Sequence, residues 1–145
     1  MKKGSNLNAQ WVVGYTDAGS CFSVRISKSK EMVTGYQVLP EFVITRDFID
    51  IETLYGLKAF FKCGVVRKSK GKNNGQQYCY RVRGQKNLFL NIIPFFEKHE
   101  LRSHRKINFI NFRRVLLLMK EGEHLTEKGL ERIRALRKKI KIKGS

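Results

Sequence analysis

The stretch GYTDAGSCFSV, residues 14–24, places a carboxylate, Asp17, where a helical pattern changes into an alternating one. Metal-assisted hydrolysis of a phosphodiester requires carboxylate oxygens that hold Mg²⁺ and offset charge at the attacked phosphate. Two residues after Asp17, where a second acid could serve that chemistry, the chain has Gly19. Glycine supplies no ligand, but it can end a helix in the left-handed conformation. The stretch is therefore either a hydrolytic centre, the remains of one, or only a helix end.

The charge of the chain favours a polyanionic partner. Its 145 residues include 30 Lys and Arg against 12 Asp and Glu, a formal net charge of +18. Such an excess destabilises a compact fold by self-repulsion unless a polyanion relieves it, so nucleic acid is the leading partner and a membrane surface the second. No apolar run approaches the roughly 20 residues that span a bilayer, so we expect no membrane-spanning segment.

The three cysteines, Cys21, Cys63 and Cys79, indicate an intracellular, reducing compartment. Their number is odd and none forms a CxxC pair, which argues against a disulfide or zinc framework. The first ten residues, MKKGSNLNAQ, carry basic side chains but no apolar segment after them, so they do not resemble a secretory signal.

Hydrophobic periodicity predicts one α+β domain over residues 1–145. Asn8 can cap a helix through Ala18, and two alternating segments, 20–27 and 36–46, follow as strands. A helix opened by Asp47 comes next, then a hairpin over 64–84 with its turn at 72–75, and then further helices, the last one capped by Thr126. The order αββαββα with C-terminal helices predicts a four-stranded antiparallel sheet with helices on one face.

The other face of this sheet is predicted to bind nucleic acid. Residues 64–84 hold six basic side chains and no acid, and Arg, Gln and hydroxyl side chains suit the edges of bases in a major groove. A merely solvated sheet face would alternate in the same way, but the acid-free hairpin favours double-stranded DNA. The predicted DNA-binding residues are Arg25, Ser27, Thr45, Arg67, Ser69, Gln77, Cys79, Arg81 and Arg83.

The chain resembles one module of a LAGLIDADG homing endonuclease. WVVGYTDA resembles the signature helix, the αββαββα order and the polar outer face agree, and GEHLTEKGLERIRALRKKI resembles the closing segment, so the resemblance covers roughly residues 6–140. It implies an αββαββα fold in which two modules join through their signature helices and straddle DNA. Only one signature is present, which implies a homodimer on a near-palindromic site.

The helix pattern agrees with such pairing. Trp11, Gly14, Tyr15 and Ala18 fall on one helical face, and Gly within a helix costs about 1 kcal/mol relative to Ala. A helix tolerates this cost where another backbone must approach closely, as small residues spaced by four allow in other helix pairs. A tight contact within the subunit would be an alternative explanation.

The resemblance also implies roles for individual residues. The metal-binding acid of the family falls at Gly19, the carbonyl before it belongs to Ala18, and Mg²⁺ or another divalent cation is implied if the chain is active. Asp17 matches an acid near the helix end that has a structural role in the family. This role is favoured over the alternative, that Asp17 is a metal ligand. Arg46 and Lys106, like Arg105, are candidates for contacting the scissile phosphate, or for simple phosphate clamps.

Two functions are therefore expected. The first is a site-specific DNA endonuclease, weakened or inactive because Gly19 occupies the position of the acid. The second is a non-cleaving protein that binds DNA, or intron RNA in the manner of a maturase. The resemblance implies an organellar or bacterial cytoplasmic location.

Overall fold

The predicted order of helices and strands is present in the structure, a computed structural model that describes residues 7–70 and 76–140. The predicted turn at 72–75 lies outside the described residues. The elements are α1 (Ala9–Gly19), β1 (Ser20–Lys28), β2 (Tyr36–Asp47), α2 (Ile51–Phe61), β3 (Val65–Lys70), β4 (Gln76–Arg83), α3 (Gln85–Asn87), α4 (Ile93–Lys98), α5 (Arg105–Lys120) and α6 (Glu127–Lys139). A π-helical turn, Leu88–Ile92, joins α3 to α4.

The four strands form one antiparallel sheet in the order β1-β2-β4-β3, which confirms the predicted sheet. The register pairs Phe22 with Phe42 and Ile44 with Tyr80. These side chains lie on the same face and are fully buried, because strand residues two apart point to the same side. The opposite phase of every strand therefore forms the outer face.

Aromatic packing joins the sheet to its helices. Phe22 of β1 packs at ring-centroid distances of 5.0 to 5.8 Å from Phe42, Phe96, Phe109 and Phe112, so strand, α4 and α5 meet around it. Offset and edge-on ring pairs of this kind contribute about 0.5–1.5 kcal/mol each beyond their buried area. Helix α2 packs on β2, β3 and β4, while α1 contacts β1 and β2. The α1 helix thus lies against the two strands that follow it.

Two predicted helix starts are confirmed by their caps, and one is displaced. The Asn8 side chain accepts a hydrogen bond from the Trp11 backbone N–H (2.8 Å), and the Thr126 hydroxyl accepts one from the Gly129 N–H (3.0 Å). Asp47, in contrast, is the last residue of β2, and α2 begins at Ile51 after a 3₁₀ turn. Strand pairing with β4 extends to Asp47, which explains why the helix starts later than its sequence pattern suggests.

The expected left-handed ending of α1 is not observed. Gly19 is the last helical residue, it is not among the glycines of positive φ, and the next residue, Ser20, is already extended at φ −121°. The helix therefore runs directly into β1. Its terminal carbonyl groups are bound by side chains from elsewhere in the fold.

In the part of the chain that the structure describes, no helix has the length and apolar character needed to cross a bilayer.

Candidate nucleic-acid interface and helix-end cavity

The helix-to-strand junction of the GYTDAGSCFSV stretch opens onto a cavity of about 320 Å³. The end of α1, the start of β1, the end of β2 and the first turns of α5 surround it. It is lined by Ala18, Gly19, Ser20, Cys21, Phe22, Val43, Thr45, Arg46, His104, Arg105 and Asn108. Two of the residues singled out from the sequence for chemistry, Gly19 and Arg46, thus meet in one place.

Arg46 binds the end of α1. Its Nη1 donates to the carbonyl oxygens of Gly19 and Thr45, both at 2.8 Å, and its Nη2 donates to the carbonyl oxygen of Tyr15 at 3.3 Å. The guanidinium carbon also lies 4.3 Å from the centre of the Tyr15 ring, a cation–π distance. A helix C-terminus carries partial negative charge, so a cation fixed there is stabilising.

Gly19 leaves the space that this guanidinium fills. A Cβ placed on Gly19 would lie 2.9 Å from Arg46 Nη1 and 3.1 Å from Nη2. Contacts this short would force the arginine to move, which its flexible side chain allows. The absence of a side chain at residue 19 is therefore matched to the position of Arg46.

A second arginine completes the helix end. Arg105 at the start of α5 is 8% exposed; its Nε donates to the Ser20 carbonyl oxygen (2.8 Å) and its Nη1 to that of Asp17 (2.9 Å). The two arginines together donate hydrogen bonds to the free carbonyl oxygens at the end of α1. At other helix ends these oxygens accept from backbone N–H groups at and after a left-handed glycine.

The Asp17 carboxylate has a structural role, because it accepts hydrogen bonds from the segment before α5. Its Oδ2 accepts from the Arg102 backbone N–H (2.8 Å), and its Oδ1 accepts from the Ser103 N–H (2.9 Å) and hydroxyl (2.7 Å). Burial raises the pKa of this carboxyl, but the hydrogen bonds from Ser103 and Arg102 and the nearby Arg105 charge outweigh it, so the pKa lies below its usual range. Asp17 thus fixes the segment before α5 to the end of α1.

The donor set at this cavity does not fit a divalent metal ion. Gly19 offers no carboxylate, both oxygens of Asp17 are bound by backbone and hydroxyl donors, and the Gly19 carbonyl is bound by Arg46. Mg²⁺ and Ca²⁺ prefer carboxylate oxygens, and a guanidinium beside them adds a like charge. Among residues 7–70 and 76–140, no cluster of three or more His, Cys, Asp or Glu side chains could hold a metal.

Lys106, the other candidate for a phosphate contact, lies outside this cavity. Its Nζ is paired with Glu100 Oε1 at 2.9 Å, and it borders a separate cavity beside Gln10 and His99. The residue before it, Arg105, faces the end of α1. A shift of one residue along a helix rotates the side chain by about 100°, which separates these two neighbours.

The predicted DNA-binding residues share the outer face of the sheet. The register places Thr45 opposite Cys79 and Cys79 opposite Arg67, and likewise Ser69 opposite Gln77. Arg25 and Ser27 of β1, and Arg81 and Arg83 of β4, follow the same phase. Within this set Cys79 is only 3% exposed, so its thiol has little surface to offer a ligand.

Strand pairing also brings acids to this face, although the hairpin itself has none. Glu41 of β2 is paired with Arg83 Nε at 2.8 Å and lies 3.5 Å from Arg81 Nε. Asp47 Oδ1 accepts a hydrogen bond from Gln77 Nε2 at 3.4 Å. The alternation of YQVLPEFVITRD puts Glu41 and Asp47 on the same strand face as Thr45. The sequence therefore indicated acids on the outer face, but the charge count of the hairpin did not include them.

Three residues of the predicted pairing face of α1 are exposed in the single chain, whereas the fourth, Tyr15, is half-buried. Trp11 is 41% exposed and stacks on Tyr15 at a ring-centroid distance of 4.7 Å, and Gly14 and Ala18 are exposed as well. Apart from its two chain neighbours and the nearby backbone of its own helix, no heavy atom of the described chain comes within 4 Å of a Cβ placed on Gly14. A tight contact within the subunit, the alternative explanation for Gly14, is therefore absent from the part of the chain that the structure describes.

Sequence reasoning did not single out Asn108 of the cavity wall, and it left Arg105 beside Lys106 without separating them. These residues lie more than 80 positions after Gly19 and reach it only because Asp17 fixes residues 102 and 103 against α1. No local pattern in SHRKINF reports that contact.

Solved structures of similar sequence share this fold. The homing endonuclease I-TnaI is 42% identical with a TM-score of 0.89, and the match covers 95% of this chain and 90% of that one. I-SmaMI, crystallised bound to cleaved DNA and described as a LAGLIDADG homing endonuclease, is 36% identical with a TM-score of 0.85. That match covers 93% of this chain but 44% of I-SmaMI.

Sequence relatives point the same way. A probable intron-encoded endonuclease 2 of Neurospora crassa is 28% identical over 130 residues, which cover 90% of this chain and 26% of the relative. The chain spans between about a quarter and two fifths of the length of the curated relatives that it matches first. The family model for LAGLIDADG endonucleases matches residues 12–116, the region from α1 to α5. With this match over most of its length, and with the α+β fold of solved LAGLIDADG structures, the chain belongs to the LAGLIDADG endonuclease family.

Proposed function

We propose that this chain is a LAGLIDADG module that binds a specific site in double-stranded DNA through the outer face of its sheet, pairs with a second copy through α1, and cleaves weakly or not at all. The likeness to I-SmaMI, which was crystallised with cleaved DNA, carries the DNA-binding part of the proposal.

Side-chain chemistry supports DNA as the ligand. The outer face presents Arg25, Arg67 and Arg83 as exposed cations, with hydroxyl and amide groups between them. Arg can bind guanine with two parallel hydrogen bonds, and Gln77 can do so with adenine. The formal charge of +18 adds attraction that does not depend on sequence.

The lengths of relatives support pairing. This chain matches 90% of I-TnaI but 44% of I-SmaMI, so one I-SmaMI chain has the length of two such modules. A single module presents half of that architecture. A second copy packed on Trp11, Gly14, Tyr15 and Ala18 would supply the other half and make the preferred site nearly palindromic.

The loss of cleavage is inferred from the cavity. LAGLIDADG nucleases are typically dependent on divalent metal, and the donor set around Gly19 does not fit one. Loss of one charge-stabilising group commonly lowers a rate by about 10²–10³. A pair of modules loses the group twice, so we expect cleavage to be reduced at least this far even when Mg²⁺ is supplied.

Selection from a random duplex library tests the proposal. The protein should enrich a near-palindromic duplex and bind it at least about 100-fold more tightly than random DNA, while supercoiled plasmid carrying that site stays uncut in Mg²⁺ over hours. Failure to enrich any duplex would refute DNA recognition, and rapid cutting would refute the inactive centre.

A non-cleaving role leaves open which nucleic acid is bound. The intron-encoded relatives make intron RNA the alternative ligand and an organelle the proposed location. Stronger binding to a structured intron transcript than to the enriched duplex, in a competition at equal salt, would favour the maturase alternative.

A further inference from the structure

We propose that Arg46 is a fixed cation that takes the place of a divalent metal at the end of α1 and binds a phosphate of the DNA backbone directly. The inference rests on the proposed DNA-binding function and assigns the centre of the interface a ligand, a phosphodiester anion, and a mode of binding that needs no metal.

The first argument is the position of the guanidinium. Its three bonds go to the carbonyl oxygens of Tyr15, Gly19 and Thr45. Carbonyl oxygens also coordinate hard divalent cations, so Arg46 occupies a place where a metal would find oxygen ligands. The arginine is permanently charged, whereas a metal would have to be captured from solution.

The second argument is the fit between two residues. Arg46 fits at the end of α1 because residue 19 has no side chain, and a Cβ there would come within 2.9 Å of Nη1. An acid at residue 19 and an arginine in this position would compete for the same volume. Gly19 and Arg46 are therefore complementary in shape, and the pair replaces one carboxylate and one metal ion.

The third argument is the sign of the charge in the cavity. Arg46 and Arg105 both line it, and the nearby carboxylate of Asp17 is bound by the donors of residues 102 and 103. A second cation would meet two positive charges at close range, whereas an anion would be attracted by both. The cavity thus favours a phosphate over a metal ion.

The fourth argument is the number of donors. The three hydrogen bonds engage three of the five N–H groups of a guanidinium, so the planar fork retains capacity for an anion. The Tyr15 ring under the guanidinium holds its plane. Such a preoriented arginine binds phosphate oxygens with short, charge-assisted hydrogen bonds.

The test measures binding of a fluorescein-labelled duplex, enriched by selection on the unmodified protein, over a range of NaCl concentrations. One series contains EDTA and the other Mg²⁺ at matched ionic strength. We expect the unmodified protein to bind no more tightly in Mg²⁺ than in EDTA. Arg46→Gln should reduce the slope of log K against log salt by about 0.9 for each phosphate that the variant no longer binds.

Arg114→Gln is the matched control, because Arg114 is exposed on α5 beside the groove between α5 and α6 and lies outside the cavity. It should leave the slope unchanged if that surface does not face DNA. A structural role for Arg46 alone would lower stability without moving the slope. Arg46→Lys, which keeps the charge but lacks the fork, should retain more of the slope than Arg46→Gln.

Two results would overturn the inference while the proposed function stands. One is binding to the selected duplex that strengthens at least about tenfold in Mg²⁺, which needs only the unmodified protein and so holds even if a variant unfolds. The other is a folded Arg46→Gln variant with an unchanged slope. If no duplex is enriched at all, the proposed function fails first and this inference fails with it.

Discussion

At the scale of single residues, opposing effects meet at Asp17. A carboxylate in the last turn of a helix is disfavoured by the helix dipole, by about 0.3–1 kcal/mol. Against this, the Asp17 carboxylate accepts three hydrogen bonds from Arg102 and Ser103, and hydrogen bonds to charged groups contribute about 1.5–3 kcal/mol each. The hydrogen bonds prevail, which explains an acid at an unfavourable helix position.

Asp17→Asn should therefore destabilise the fold by about 1–3 kcal/mol at pH 7, because an amide cannot accept from all these donors. The pKa of Asp17 is lowered on folding, so its contribution is present above the ordinary value of 3.8 and is lost as the pH falls through the lower folded pKa. Urea unfolding at pH 7 and at pH 3 should show the difference shrinking in acid. Asp47→Asn, at an exposed strand end, should show little effect, and an equal effect of both variants would contradict this assignment.

Gly19 and Arg46 determine what an introduced acid can do. In Gly19→Glu the new carboxylate would pair with Arg46, and cleavage should remain near the level of the unmodified chain. Gly19→Glu combined with Arg46→Gln removes that competitor, and Mg²⁺-dependent nicking of a plasmid carrying the selected site should rise by at least about tenfold. Since Ser20 is already extended, the backbone requires no glycine after residue 19. Full activity of Gly19→Glu alone would show that Arg46 does not block the acid.

At the scale of elements, the sheet face is a mixed-charge surface. Glu41 of β2 lies beside Arg81 and Arg83 of β4, so these two arginines are oriented before any ligand binds. The Glu41 side chain is 19% exposed and holds Arg83 at 2.8 Å. A held arginine loses less side-chain entropy on binding a base, and the nearby carboxylate also penalises indiscriminate contact with phosphates.

Glu41→Gln should consequently weaken discrimination and strengthen nonspecific binding. Removing one negative charge from the face should raise affinity for random duplex several-fold, and releasing Arg81 and Arg83 should lower the ratio of selected to random affinity by about tenfold, the equivalent of one base contact. Fluorescence anisotropy with both duplexes measures this. Glu121→Gln, at the end of α5, is the control for charge alone. A Glu41→Gln variant with unchanged discrimination would show that the ion pairs do not orient the arginines.

At the scale of the whole molecule, the exposed face of α1 is the expected surface for a second copy. The single chain leaves Trp11, Gly14 and Ala18 exposed, and nothing described in the chain packs against Gly14. Exposed glycine in a helix is a stability cost without benefit inside one subunit. The pairing that we propose, in which a second helix approaches closely, would offset this cost.

Gly14→Leu separates pairing from folding. Helix propensity favours Leu over Gly by about 1 kcal/mol, and there is open space for the side chain. The variant subunit should therefore be at least as stable as the unmodified one. Sedimentation should show the dimer of the unmodified protein replaced by monomer. Ala135→Leu, on the exposed surface of α6, should leave the dimer intact. A monomeric unmodified protein, with and without duplex, would refute the pairing.

The sequence by itself determined the order of elements, the two faces of the sheet and the helix caps at Asn8 and Thr126. These features depend on residues within a few positions of one another: alternation selects the faces, and a side chain three residues before a free N–H forms a cap. The placement of Asp17 and Gly19 at the end of α1 was likewise predicted, because the helical pattern and the alternating pattern that meet there are both local.

The tertiary structure decided the chemistry around that motif. Arg46 and Arg105 reach Gly19 and Ser20 across 27 and 85 positions, and Glu41 enters the hairpin surface from a neighbouring strand. Such contacts depend on register and packing, which local patterns do not encode. For the same reason Lys106 and Arg105 were equal candidates for a phosphate contact from sequence. In the structure Arg105, in the first turn of α5, lines the cavity, whereas Lys106 pairs with Glu100. Whether a helix end attracts a cation or an anion is thus set by which distant side chains the fold brings to it.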